Sequence, residues 1–231
     1  HLYYLAPEGT GFNLYHTMSE DGTNFEKPDR VAKLASSMKG AFFPSIVYDG
    51  KNAYMAWQSR GLEHDKLTDD IYFSSSSNYG SSWASPDRIT TGYASNAAPC
   101  LVMSRGRLIC VYENNERKNW EIRFLMSLDG GETWDQTPLT VSGTNANSYA
   151  PTAAVTESDE VAFLWFDNRE GANRIFTRRY GLNDNCLSKE LPLSDAGAAA
   201  RFPVSFLSGK RIAALWEQGG SLRGKFSDAY A

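Results

Sequence analysis

The chain is poor in the residues that build metal and redox centres. Its 231 residues include three cysteines and three histidines. Cys100, Cys110 and Cys186 give no disulfide framework. Cys100 and Cys110 fall on adjacent expected strands and read as buried core thiols, so cysteine usage does not report the compartment. His1, His16 and His64 are isolated and lack metal-ligand spacing. Asp65, Asp69 and Asp70 cluster without the alternating ligands and central glycine of a calcium loop. No metal or cofactor is therefore expected. There is no Gly-x-Ser-x-Gly, phosphate loop or dinucleotide fingerprint. No apolar run approaches the ~20 residues of a membrane span, and no helix of normal length is predicted. An excess of one charge is missing too. Lys+Arg of 23 against Asp+Glu of 27 gives −4, which argues against a nucleic-acid partner. No signal peptide is visible, and the chain starts at His1 without Met. A processed, trimmed or excised chain is the expectation.

What the chain has is aromatic residues and repetition. Six Trp, twelve Tyr and twelve Phe make up 13% of it. Four strand-like runs carry Pro44, Pro99, Pro151 and Pro203, spaced 55, 52 and 52 residues apart. Proline at a strand's start removes no ladder bond the sheet needs. Each proline run is followed by a turn and a second apolar run, among them Ala53-Tyr54-Met55-Ala56-Trp57 and Leu108-Ile109-Cys110-Val111-Tyr112. A third run follows each, then a weaker fourth. The unit is a four-stranded meander of about fifty residues, the size of a propeller blade. At the N-terminus, Leu2–Leu5, Leu14–Met18 and Asp29–Leu34 read as the second, third and fourth strands of a partial unit. The fold class is thus all-β, a propeller of antiparallel four-stranded blades forming a single domain over 1–231. Five blades are expected. A six-bladed ring is the alternative if the chain is a piece of something longer.

The third strands end in related turns. Ser127-Leu128-Asp129-Gly130-Gly131-Glu132-Thr133-Trp134 is matched by Ser76-Ser77-Asn78-Tyr79-Gly80-Ser81-Ser82-Trp83 and by the shorter Ser19-Glu20-Asp21-Gly22-Thr23-Asn24-Phe25. Ser and Asp oxygens can bond amides of their own turn, and glycine supplies positive φ. The terminal aromatic can be buried between sheets. The pattern resembles the Asp-box of sialidases and related β-propellers, which implies a propeller and makes these aspartates structural.

In such a meander the first strand's start and the second strand's end share one rim of the central channel, opposite the Ser-x-Asp turns. On that rim lie Trp57-Gln58-Ser59-Arg60, Tyr112-Glu113-Asn114-Asn115, Phe166-Asp167-Asn168-Arg169 and Trp216-Glu217-Gln218, with Phe42, Ala97, Tyr149 and Arg201 at the strand starts. Aromatic platforms beside carboxylates and arginines suit a polyhydroxylated or acidic ligand. The same residues could instead serve hairpin turns, with Asp167 and Arg169 bonding each other.

The resemblance to sialidases assigns roles. Arg201-Phe202-Pro203 is similar to the family's Arg-Ile-Pro signature, whose arginine grips the sugar carboxylate. Arg60, Arg117 and Arg169 are candidates to complete an arginine cluster. Tyr149 and Glu113 match the family's tyrosine nucleophile and its glutamate partner. Asp65, Asp69 or Asp70, on the long loop expected after Arg60, would be the acid/base, with Asp70 the choice carried forward. Trp57, Trp216, Asp167 and Glu217 complete the substrate-binding set. The implied function is sialidase-like hydrolysis of terminal sugars by a secreted, cell-surface or periplasmic protein whose partner is a glycan. Two alternatives stay open: a non-catalytic glycan- or protein-binding propeller, and an inverting glycosidase using Glu113, Asp167 and Glu217.

Overall fold

Alternation of apolar and polar residues makes each long strand a ribbon with two faces. The computed structural model describes residues 1–8, 11–31, 40–63, 66–143 and 146–226. Every regular element among them is a strand, grouped in five antiparallel sheets that follow the chain in order. Blade one holds β1 (Leu2–Glu8), β2 (Gly11–Thr17) and β3 (Asp29–Arg30). Blade two holds β4 (Ala41–Asp49), β5 (Asn52–Glu63), β6 (Lys66–Ser76) and β7 (Asp87–Arg88). Blade three holds β8 (Asn96–Ser104), β9 (Arg107–Asn114), β10 (Glu121–Ser127) and β11 (Leu139–Thr140). Blade four holds β12 (Ser148–Val155), β13 (Glu160–Glu170), β14 (Ala172–Gly181) and β15 (Leu191–Pro192). Blade five holds β16 (Ala200–Ser208), β17 (Arg211–Gln218) and β18 (Ser221–Phe226). The chain is a five-bladed β-propeller, as the repeat implies. Blade one begins on its second strand, and the expected strand residues 32–34 lie outside the described residues.

The blades cohere through apolar faces pressed together. Leu14, Met55 and Trp57 pack between blades one and two, and Ile71, Phe73, Leu101 and Tyr112 between two and three. Val111, Phe124, Phe163 and Trp165 join three to four, and Leu164, Ile175, Ala214 and Trp216 join four to five. Each large side chain so buried contributes about 1.5–3 kcal/mol. Among the described residues no such cluster joins blade five to blade one. Val204, Phe206 and Phe226, on the face of blade five turned from blade four, are 53%, 47% and 52% exposed.

The Ser-x-Asp turns are wired alike. The Ser127 hydroxyl donates to Asp129 (2.8 Å) and accepts from the Gly131 amide (2.8 Å), while Asp129 accepts from the Thr133 amide (2.9 Å). Ser76–Asn78–Gly80–Ser82 and Ser19–Asp21–Gly22–Asn24 repeat the scheme. The Thr133 hydroxyl, which also donates to Asp129, together with these bonds holds the Asp129 carboxyl down at about 2. The turns also lock blades together. Trp134 packs on Phe73 of the preceding blade, and Trp83 on Tyr3, at ring separations of 5.2 and 6.1 Å. Phe25, at the same place in blade one, is exposed.

Two differences from the sequence reading bear on the site. The segment after Arg60 is not a loop: β5 and β6 run on as a long hairpin with Arg60 opposite Asp69 and Ser59 opposite Asp70. Cross-strand pairing also shifts blade four by one residue. Phe42, Ala97, Tyr149 and Arg201 face Gln58, Glu113, Phe166 and Glu217. Phe166, not Asp167, is therefore the blade-four counterpart of Glu113. Asp167 aligns with Ser59, Asn114 and Gln218, all buried.

Gly131 has φ +94°, and a Cβ there would lie 2.1 Å from the Phe73 ring. Gly131→Ala should cost about 2–4 kcal/mol through left-handed strain and overpacking. Denaturant unfolding followed by tryptophan fluorescence measures it, and an unchanged midpoint would show that the blade two–three lock tolerates movement.

Candidate functional site

A bulge opens each inner strand. Phe43, Ala98, Ala150 and Phe202, each just before a proline, have φ of 51°, 48°, 51° and 52°. Each lies in a register shift between its strand and the next. A left-handed non-glycine residue costs on the order of 1–3 kcal/mol and persists only where its surroundings impose it. The preceding blade supplies part of that restraint. The Ala98 amide donates to Gln58 Oε1 at 3.1 Å, and the Ala150 amide to Glu113 Oε1 at 2.8 Å.

Glu113 is thus a structural cap with a proton to spare. Burial raises its pKa to about 7, against the lowering effect of the Ala150 amide. Gln58 makes the same bond one blade earlier, so the cap does not require an ionisable group. Tyr149 stands beside it, its pKa raised first by burial and then by the Glu113 charge. Tyr149 and Glu113 are therefore neighbours, as the sequence suggests. Among the described residues no hydrogen bond joins the phenol to the carboxyl.

From Tyr149 a row of rings crosses the rim of blades three to five. Trp120, on the loop between β9 and β10, is 6.4 Å from Tyr149. Tyr149 is 5.8 Å from Phe166, and Phe166 is 6.0 Å from Phe202. The Trp120 carbonyl accepts the Ser148 amide at 2.8 Å, which seats the loop against β12. Trp120, Phe166 and Phe202 are partly or well exposed, Phe202 at 66%. Trp120 escapes the sequence reading because it lies in an irregular loop outside the repeat.

Several of the other expected site residues are enclosed between blades or held by partners within the chain. Trp57 and Trp216 are 1% and 3% exposed, because strand alternation turns them between blades rather than onto the rim. Asp167 is buried and accepts from Trp165 Nε1 (3.0 Å) and from the amide and guanidinium of Arg169. Arg169 also binds Glu190 and lies over the Phe176 ring at 4.1 Å. Its fork is filled by partners within the chain. Asp70 is buried and accepts from Thr90 (2.9 Å), Asn96 (3.0 Å) and Arg88 (3.3 Å). These donors hold the Asp70 carboxylate inside the fold, and Asp65 lies outside the described residues. Arg60 binds Asp69 through two nitrogens, at 2.9 and 3.2 Å. Arg117 lies 3.7 Å from Glu121 and lines a cleft of about 400 Å³ beside the outer strands of blade three. In that cleft Arg123 is matched by Glu116 and Glu121. Arg201 is exposed, opposite Glu217 on the neighbouring strand, and Glu217 accepts from the Gly220 amide at 2.9 Å. The four arginines lie on four different blades, and Arg60, Arg117 and Arg169 each lie against a carboxylate. These residues include no group of three or more metal-ligating side chains, and no helix is long and apolar enough to cross a membrane.

No protein-family model matches the sequence, and no curated protein does. Solved structures share the fold at low identity. The Penicillium chrysogenum α-L-arabinanase complexed with arabinobiose aligns at 14% identity and TM-score 0.68, over 95% of this chain and 71% of that one. The endo-arabinase of Bacteroides thetaiotaomicron gives 12% and 0.63, over 97% and 88%. The NanB sialidase of Streptococcus pneumoniae gives 11% and 0.63, over 94% of this chain and 54% of that one.

Glu113→Gln tests the spare proton. Glu113 keeps its proton to about 7 when folded, against 4.5 as the ordinary value. The folded state then holds more protons between these values, and stability falls as pH rises through that window. The variant lacks this slope. Relative to the parent it should gain about 3 kcal/mol between about pH 4 and about pH 8, measured by denaturant unfolding. A difference that does not change with pH would mean an unperturbed carboxyl.

Proposed function

We propose that the chain is a glycan-recognising propeller whose ligand lies on the rim of blades three to five. The observation that carries this reading is the continuous row Trp120, Tyr149, Phe166 and Phe202, flanked by Glu113. Partly exposed rings offer flat apolar surface to the C–H faces of sugars, while nearby carboxyl and amide groups meet their hydroxyls. The likeness in fold to arabinanases and a sialidase is consistent with such a ligand. A secreted or cell-surface location belongs to the same reading.

Glu113 favours a second reading, glycoside hydrolysis. A carboxyl that titrates near 7 offers both proton donor and acceptor forms at neutral pH, as acid–base catalysis of glycosidic cleavage requires. Tyr149 beside it is the nucleophile in the sialidase-like form. In the inverting form Glu217, at the matching position of blade five, is the second carboxyl. The filled fork of Arg169 and the paired Arg60 weigh against the family's arginine cluster and leave Arg201 and Arg117 as exposed cations, with Arg201 on the ring-lined rim.

Calorimetric titration with arabinobiose, longer linear arabino-oligosaccharides and sialyllactose, with product analysis, tests both readings. Binding of at least one of these probes is expected, with any turnover abolished in Glu113→Gln while binding persists. A folded chain that binds none of them removes the glycan reading. Undiminished turnover in the variant removes Glu113 from the chemistry.

A further inference from the structure

The bulge cap is present in two successive blades and broken in the next. Gln58 caps the Ala98 amide and Glu113 caps the Ala150 amide. The corresponding position for blade five is Phe166, set by its pairing with Tyr149. A phenyl ring accepts no conventional hydrogen bond. Phe202 has the same left-handed backbone as Ala98 and Ala150, with φ 52° against 48° and 51°. With the same φ, its amide would point toward the preceding blade as theirs do. The Phe202 ring stands edge-on to the Phe166 ring, at 6.0 Å between centroids. Phe202 lies within the register shift and has no cross-strand partner. Its ring is 66% exposed.

We infer that the junction of blades four and five is a sugar subsite created by Phe166. Resting on the glycan reading above, this inference names where one ring of the glycan is held and by what. The sugar's apolar face stacks on the exposed Phe202 ring, and its edge meets Phe166, which stands nearly perpendicular to Phe202. One of its oxygens accepts the Phe202 amide hydrogen, taking the place that Gln58 and Glu113 oxygens fill in the other blades. Exposed as Phe202 is, water serves its amide in the free chain, and a ligand oxygen takes the place of that water. A ligand oxygen held over an aromatic pair supplies the acceptor and excludes water around it. Because Arg201 is exposed on the preceding residue, the oxygen is either a hydroxyl or a carboxylate. Neutral and acidic probes separate the two.

The decisive variant repairs the repeat. Phe166→Gln places at blade four the side chain that Gln58 provides at blade two, and it should cap the Phe202 amide. Thermal stability should hold or rise, while affinity for whichever of arabinobiose, the longer arabino-oligosaccharides or sialyllactose the parent binds should fall about tenfold, the equivalent of one aromatic contact. Phe202→Ala removes an exposed ring without touching a core cluster and should weaken binding of the same probe to a similar degree. It decides the matter if Phe166→Gln folds poorly. Parental affinity in both folded variants would overturn the subsite while leaving the glycan reading intact. Failure of the parent to bind any probe would remove both.

Discussion

Everything in this molecule depends on the packing of one twisted sheet against the next. A blade is a small antiparallel sheet with two faces, and each face is too apolar to leave in water. The four clusters between successive blades hold nearly all of the large buried side chains, from Met55 and Trp57 at one end to Trp216 at the other. The Ser-x-Asp turns follow from this requirement. Their internal hydrogen bonds shape a tight corner so that Trp83 and Trp134 can reach back over the previous blade. Their carboxylates are spent on amides of the turn and face away from the rim where ligands would bind.

The same packing rule decides where polar chemistry can occur. Side chains directed between blades are sealed, and polar groups there must be satisfied within the chain. Asp167 and Asp70 obey that rule: each carboxylate is surrounded by donors and holds a strand end in place. A residue on the rim proper faces the channel instead. The difference between the two environments is one residue along a strand, because alternation reverses the direction of successive side chains. That single step separates Phe166 from Asp167 and Glu217 from Gln218.

The architecture was legible in the sequence because it is periodic. Proline spacing, apolar runs and the Ser-x-Asp turns all report the same repeat, and the observed strands coincide with them. The pairing of Tyr149 with Glu113 was legible for the same reason, since both occupy defined repeat positions in adjacent blades. The site was less legible where the repeat slips. The aromatic-then-polar pattern suggested that Phe166-Asp167 aligns with Tyr112-Glu113, but blade four carries a second aromatic, Trp165, in the buried position. Hydrogen-bond register resolves this, and residue pattern alone does not. The arginines misled for another reason. Arg60, Arg117 and Arg169 follow strand ends in sequence, yet each has an acidic partner: Asp167 and Glu121 are near in sequence, whereas Asp69 meets Arg60 only across the long hairpin.

A repeat also provides an internal control for function. A residue type that recurs at one position does what every blade needs, and the left-handed residue before each proline is of this kind. Where one blade departs from the others, the fold does not demand the departure. Gln58 shows that capping a bulge needs only a neutral oxygen, so the ionisable oxygen of Glu113 is surplus to structure. The caps on Ala98 and Ala150 show that the bulge amide can be satisfied by a side chain of the preceding blade, a bond the ring of Phe166 cannot supply. Both departures lie on one rim, on either side of Tyr149, and share a row of partly exposed rings. Under the proposed reading both departures belong to the ligand-facing surface, because apolar rings beside hydrogen-bonding groups suit the faces and hydroxyls of a sugar.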